Sequence, residues 1–574
     1  MGREAGGLFR RGRAMPLPTI DAPLLLLRGA TALVWAGLHA AVLCAPGPAL
    51  TVDATADGHA IPPEIYGMNF ADEALAKELA LPVRRWGGNR TTRYNWRIDV
   101  DNSGNDWFFE NLPNPLPTDG RTLPDGSAAD RFVEQNRRTG TASLISVPMS
   151  GWVAKRRPPG DTHPFDCGFQ VSRYGAQQQV DPWDTNCGNG RRPDGSLITG
   201  NAASDTSMPS DTAFVQDWVR HLVGAYGKAA QGGVRFYGLD NEPELWSATH
   251  RDVRPQHLGY DELRDRSIQY AAAIKAVDAT AKVIGPSSWG WTAYFYSDLD
   301  GAPGGNWWDD PKDRNAHGGV PLAEWYLQQM RAHEQATGQR VLDYLDEHYY
   351  PQAGAVTTDA VDPATRALRL RSTRALWDPT YVDESWIGEP VRLLPRMREW
   401  VAANYPGTKL SLSEYHWGAL NHLNGALAQA DVLGIFGRER LDMATLWAMP
   451  TATDPGAFAF RMYRNVDGRG GQFGRWGVRA TSADASLVSV FAARRGKTGP
   501  LTVMVINKSV EARETTLTLS HYTAASQAKG WRYSGANLSA IQKLPATPVS
   551  GGTLALTLPA ESISFYLVPL AAAR

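Results

Sequence analysis

The chain has 574 residues, and 58 Lys and Arg against 59 Asp and Glu leave a formal net charge of -1. That balance excludes the basic footprint of a nucleic-acid or anionic-membrane binder, while 43% apolar and 20% charged residues describe an ordinary globular protein of about two or three domains. Twenty Trp are the unusual count; planar rings beyond what a core absorbs suit flat ligands such as sugars, the alternative being that they fill a large core.

Residues 1–49 read as a secretory leader. Arg10, Arg11 and Arg13 form a basic start, an apolar run extends from Leu24 to Ala45, and Ala45-Pro46-Gly47-Pro48-Ala49 is a small-residue exit. Arg28 interrupts the run, so an uncleaved anchor is the competing reading. Leu43 is too large to precede a lipoprotein cysteine at Cys44. Removal of the leader makes the protein secreted and extracellular, with no membrane partner. It also leaves Cys167 and Cys187, an even pair expected to close a disulfide loop of about 20 residues worth about 3 kcal/mol. Two free thiols are the alternative, and no His stands at zinc-ligand spacing to them.

Short apolar strands then alternate with amphipathic helices. The strand signals are Ile65–Asn69, Val83–Gly88, Ser143–Pro148, Val234–Leu239, Ala281–Pro286, Leu342–Asp346, Lys409–Ser413 and Met443–Trp447. Between them, Phe214, Trp218, Leu222 and Tyr226 recur at a helical period, as do Ile268, Ala271, Ala272 and Ile274, and Leu394, Met397, Trp400 and Val401. Eight such repeats predict a (β/α)8 barrel over 50–470. A doubly wound open sheet is the rival, weakened because no Gly-rich strand-to-helix turn is present. From Gly471 to 574 short alternating strands such as Leu501–Asn507, Thr515–Leu519 and Ser562–Val568 predict an antiparallel β-sandwich, which the strand near Thr51-Val52-Asp53 is expected to join.

A barrel carries its chemistry at the C-terminal ends of its strands. Asp240-Asn241-Glu242-Pro243 ends the fourth strand and Ser413-Glu414-Tyr415 the seventh, so each delivers a Glu to the mouth. Cleavage of a glycosidic bond needs two carboxyl groups across it, one holding a proton for the leaving oxygen and one ionised. Glu242 is therefore expected to be the acid/base and Glu414 the nucleophile, with the Asn241 amide placed for a sugar 2-hydroxyl. The alternative for either Glu is an ion pair with an Arg such as Arg85 that merely holds the barrel together.

At these residues the chain resembles glycoside hydrolase family 44. The motifs that carry the resemblance begin with Arg84-Arg85-Trp86-Gly87-Gly88-Asn89, Thr92-Arg93-Tyr94-Asn95-Trp96 and Asn105–Asn111. They continue through Tyr174–Gln178, Asp181-Pro182-Trp183-Asp184, Gly188-Asn189-Gly190, Asp240–Pro243, His348–Pro351 and Ser413–Tyr415. The resemblance implies a secreted, retaining endo-β-1,4-glucanase with a barrel and a sandwich, a β-glucan substrate such as xyloglucan, and the same roles for Glu242 and Glu414. It also implies a structural calcium ion at Glu110, Asp181 and Asp184, with no cofactor for catalysis. The competing reading of 181–184 is a turn whose Asp side chains bond backbone amides. His416 departs from the Asn that members often carry.

Trp86, Trp152, Trp246, Trp289, Trp417 and Trp447 are the expected stacking platforms, with about half touching ligand. Asn69, Asn241, His348, Tyr350 and Tyr415 complete the expected substrate contacts. The other readings are a β-mannanase or xylanase with the same two Glu, or a non-catalytic glycan-binding protein, which both Glu disfavour. Gly468–Gly471 lacks the strand and helix of a phosphate loop. A monomer is the expected state.

Overall fold

A computed structural model describes residues 44–160 and 162–571. Of the expected leader, residues 1–43 lie outside the described residues. Ala45–Pro46 already pairs in parallel with Arg513 and Glu514 of the C-terminal sheet. Among the described residues no helix is long and apolar enough to cross a membrane.

Eight parallel strands close a barrel: β1 (Gly67–Asn69), β2 (Val83–Trp86), β3 (Ala142–Val147), β4 (Phe236–Leu239), β5 (Lys282–Ser288), β6 (Tyr344–Tyr349), β7 (Lys409–Tyr415) and β8 (Met443–Leu446). They neighbour one another in chain order, and β8 returns to β1. The three helical patterns become Thr212–Tyr226, Tyr260–Val277 and Leu393–Asn404, each turning its apolar stripe to the barrel. β6 begins and ends later than its apolar run suggests. It continues through Asp346, Glu347 and His348; hydrogen bonds from distant segments let the strand bury Asp346 and His348.

The barrel interior changes character along its axis. Val83, Leu144, Phe236, Ile284, Tyr344 and Met443 fill its floor. Two residues further along β2, on the same face, Arg85 replaces Val83, and along β6 Asp346 and His348 replace Tyr344. An apolar plug below and polar groups above fix the end at which chemistry is feasible.

The C-terminal region is a curled, mainly antiparallel sheet built on Trp476–Ser482, Val488–Arg494, Leu501–Asn507, Arg513–Ser520, Gln527–Ser534, Asn537–Pro548, Thr553–Leu558 and Ser562–Val568. Leu50–Asp53 lies between Trp476–Ser482 and Arg513–Ser520, so the early chain supplies a strand to it. Leu501–Asn507 is buried along both faces: Leu501, Val503 and Val505 face the sandwich core, Met504 and Ile506 the barrel core. Burying each such side chain contributes about 1.5–3 kcal/mol. The helix Leu423–Arg438 lies between barrel and sheet and is buried from Asn424 to Gly437. At Gly434 the contact admits no side chain, because an added Cβ would stand 2.2 Å from the Phe491 ring.

Candidate active site

Asp240, Asn241 and Glu242 leave β4 through a strained turn, with φ of 66° at Asp240 and 46° at Glu242. Neither residue is a glycine, so the surroundings must hold the turn. Asp240, fully buried, accepts hydrogen bonds from Thr92 Oγ1, Met149 N and Asn241 N, and Glu242 N donates to Ser287 O at 3.0 Å. Burial pushes the Asp240 carboxyl up to about 7 despite those donors.

This turn brings Glu242 to Glu414, which β7 carries. His348 Nδ1 lies 2.9 Å from Glu242 Oε1 and 3.6 Å from Glu414 Oε2, and the facing atoms of all three residues lie within 4.8 Å of one another. Arg85 Nη1 donates to Glu414 Oε1 at 2.6 Å, and its Nη2 to Asn241 Oδ1 at 2.8 Å. The Tyr350 hydroxyl donates to Glu414 Oε2 at 2.7 Å. Ser413 Oγ donates to Asp346, so its lone pair is free to accept from His348 Nε2–H at 3.1 Å. Nδ1 is then the nitrogen turned to Glu242, and one proton is shared across that contact.

The two carboxyls are driven apart in proton affinity. Burial raises Glu242 above the usual carboxylate range, and the His348 contact offsets this only in part. Burial acts against ionised Glu414 too, but the charges of His348 and Arg85 and the hydrogen bonds from Arg85 and Tyr350 outweigh it and hold that carboxyl low. His348 is raised: burial disfavours its cation, and the two glutamates outweigh burial. One carboxyl holding its proton beside one that has lost it is the division of labour that acid-assisted displacement requires.

Several expected ligand contacts are structural instead. Asn69 is fully buried: Arg85 donates to its Oδ1, and its Nδ2 donates to the carbonyls of Ser413, Thr445 and Leu446. Trp246, Trp417 and Tyr415 are core residues with no face open to a ligand. Trp417 Nε1 bonds Ser372 Oγ, and the Tyr415 hydroxyl accepts from Gln429. His348 is wholly buried, joined to both carboxylates and with no surface open to a ligand. Trp86 is nearly buried against Phe70, Tyr94 and Phe132. Trp152, Trp289 and Tyr350 are half-buried, and Trp447 is 36% exposed. The Trp447 ring lies against Gly88, where a Cβ would come within 2.4 Å of it. Burial, with the charge of Arg369, pushes His416 down to about 4, so it is a neutral imidazole.

Residues to which the sequence assigned no individual role also matter. Asn241 Nδ2 donates to Asn89, whose own amide donates to Asp106. The exposed tryptophans Trp107, Trp183, Trp308 and Trp386 were indistinguishable in the sequence from those in the core. Trp107 pairs with Trp183 and Trp308 with Trp386.

Cys167 and Cys187 form the expected disulfide. It borders a cluster in which Glu110, His163 and Asp181 converge, their facing atoms within 4.8 Å. His163 Nε2 lies 3.1 Å from Asp181 Oδ2 and 3.6 Å from Glu110 Oε2. Asp184, expected as the third ligand, stands beside this triad and accepts from Asn186 N, as Asp181 Oδ1 does from Trp183 N. Those two bonds are the turn that was the competing reading. Both Glu110 oxygens, Asp181 Oδ2 and His163 Nε2 are buried with no hydrogen-bond partner among the described residues. Burial, then the charge of Asp181, pushes Glu110 up to about 9. Facing carboxylates with unused lone pairs fit a divalent cation. The oxygens suit calcium and the imidazole nitrogen suits a transition metal such as zinc, so the donor set does not single out one ion.

The glycoside hydrolase family 44 profile matches residues 100–353. The crystal structure of CelM2, a bifunctional glucanase-xylanase from a metagenome library, is 42% identical, superposes with a TM-score of 0.87, and is matched over 92% of this chain and 100% of that one. A Paenibacillus polymyxa xyloglucanase from family 44 is 30% identical with a TM-score of 0.75, over 92% of this chain and 100% of that one. Endoglucanase A of Paenibacillus lautus is 29% identical over an alignment of 538 residues that covers 90% of this chain and 72% of that protein.

Proposed function

The chain belongs to glycoside hydrolase family 44, and on that premise we propose that it is a secreted, retaining, endo-acting hydrolase of β-1,4-glucan backbones, xyloglucan among them. The observation that carries this reading is the pair Glu242 and Glu414, brought within 4.8 Å at the barrel mouth with opposite shifts in proton affinity. Retaining glycosidases place their carboxyls about 5–5.5 Å apart and inverting ones about 6.5–9.5 Å apart, so the close approach favours retention.

In this mechanism Glu242 donates its proton to the glycosidic oxygen as the bond to the anomeric carbon breaks. Glu414 attacks that carbon from the opposite face and forms a glycosyl ester. Glu242, now ionised, takes a proton from water, which adds to the anomeric carbon and releases Glu414 with overall retention. Arg85 and Tyr350 keep Glu414 ionised and oriented between turnovers. The cleft around Trp447, Trp152 and Trp289 offers rings for the flanking sugars. Glu110, His163 and Asp181 would hold a structural divalent cation, calcium by family resemblance, which stiffens the loop and takes no part in bond cleavage. The segment before Ala45 acts as the leader, since Ala45–Pro46 already pairs with the C-terminal sheet and the expected end at residue 49 falls inside the fold, with 50–470 as the catalytic domain and 471–574 as its support.

A second reading, xylan cleavage, is favoured by the likeness to CelM2, described as a glucanase-xylanase. Reducing-sugar release from carboxymethylcellulose, xyloglucan, xylan and mannan tests both. Release from the two glucans supports the first reading, release from xylan alone replaces it with the second, and release from none overturns both.

A further inference from the structure

We propose that Trp107 and Trp183 form a distal saccharide-stacking subsite whose geometry is set by a divalent cation held at Glu110, His163 and Asp181. The inference rests on the glucan-cleaving reading and adds a chain-length device to it. The two rings are exposed by 37% and 68% and stand side by side, with centroids 5.4 Å apart and planes inclined by 34°. A monomer gains nothing from leaving two adjacent indoles in water, and such a patch marks a binding surface. The flat C–H faces of a β-linked glucosyl unit are the ligand that neighbouring open rings accept.

A chain of hydrogen bonds joins the segment bearing Trp107 to the residue before Glu242. Trp107 follows Asp106, whose carboxylate accepts from Asn89 Nδ2, and Asn89 in turn accepts from Asn241, the residue before Glu242.

The two rings come from separate segments, and the triad ties those segments together. Glu110 lies three residues after Trp107, and Asp181 two residues before Trp183. Trp183 N donates to Asp181 Oδ1, and the His163 ring stacks toward Trp183 with centroids 6.5 Å apart. The disulfide fixes the outer side, where Asp181 N donates to Cys187 O. Without a cation, the buried oxygens of Glu110 and Asp181 that have no hydrogen-bond partner lose the shared ligand that would hold the Trp107 and Trp183 segments in register. Cation loading therefore controls the grip on long chains and leaves bond cleavage unchanged.

The test is calorimetric titration of full-length E242Q protein with cellotriose and cellohexaose. It is run with calcium chloride, with zinc chloride, and after EDTA treatment, alongside W107A and W183A in the same background. The expected result is that W183A weakens cellohexaose binding about tenfold and leaves cellotriose within about twofold. EDTA reproduces this loss and the restoring cation reverses it, with a change in near-UV circular dichroism that W183A lacks. Cellohexaose binding untouched by W183A, or weakened equally by EDTA with and without Trp183, overturns this inference alone. Failure of E242Q to bind either saccharide overturns the glucan reading and this inference with it.

Discussion

Arg85 and Glu414 meet at 2.6 Å inside the barrel, both buried, and the same guanidinium holds Asn241 beside Glu242. The ion pair expected only as a structural alternative is thus what keeps one carboxyl of the proposed pair ionised. Arg85→Ala is expected to shift the acid limb of the activity profile to higher pH, because losing the cation raises the Glu414 pKa. It should also cost about 3–5 kcal/mol of stability by leaving a buried charge unpaired. Arg85→Lys keeps the charge but loses the planar fork, so it should retain the acid limb with reduced turnover. An unchanged limb in Arg85→Ala contradicts the role.

The alkaline limb is expected to report Glu242, because burial raises its carboxyl and so preserves the proton that the proposed acid gives. Glu242→Gln should lower polysaccharide turnover about 10²–10⁴-fold yet still form the glycosyl intermediate from an aryl cellobioside with a good leaving group. Added azide should then release a β-glycosyl azide. Glu414→Gln should be inactive on both substrates, with or without azide. An α-configured azide product argues against double displacement.

Glu110 gives the candidate metal cluster a pH signature. Its carboxyl titrates near 9 in the cation-free fold, against about 4.3 when unfolded. Between those values the unfolded chain has released a proton that the fold still holds. Cation-free stability should therefore be complete below about pH 4.3 and decline as pH rises toward 9. Thermal melts after EDTA treatment should show that decline, and Glu110→Gln should flatten it. A divalent cation should raise the melting temperature of the parent more than that of Glu110→Gln. Melts indifferent to EDTA at every pH would remove the cation from the account.

Gly434→Ala tests the junction of barrel and sheet. The added methyl meets the Phe491 ring, which the packed sheet behind it holds in place. Overpacking of this kind costs about 1–3 kcal/mol. Denaturant unfolding should show that loss while the proposed catalytic pair, on the far side of the helix Leu423–Arg438, keeps its pH profile.

Much of the architecture was legible because each barrel strand is a short apolar run between helical stripes. The two glutamates were legible because each follows such a run. β6 was harder: Asp346 and His348 look like a strand's end until Ser287, Ser413 and Glu242 are seen to supply their partners from distant segments. His163 escaped notice as a neighbour of Glu110 because only the folded loop brings them together. The tryptophans sorted poorly for the same reason. Trp246 and Trp183 both lie a few residues from an acidic group, yet long-range packing buries one and leaves the other largely in water.

The strand Leu50–Asp53 has a consequence for dissection of the chain. It fills the gap between Trp476–Ser482 and Arg513–Ser520, lending hydrogen bonds to both. A fragment starting at 471 would expose two bare sheet margins lined by apolar side chains, an invitation to self-association. Support module and catalytic barrel are therefore expected to unfold as one unit, clasped by a segment that precedes the barrel, and deletion of Leu50–Asp53 should destabilise both together.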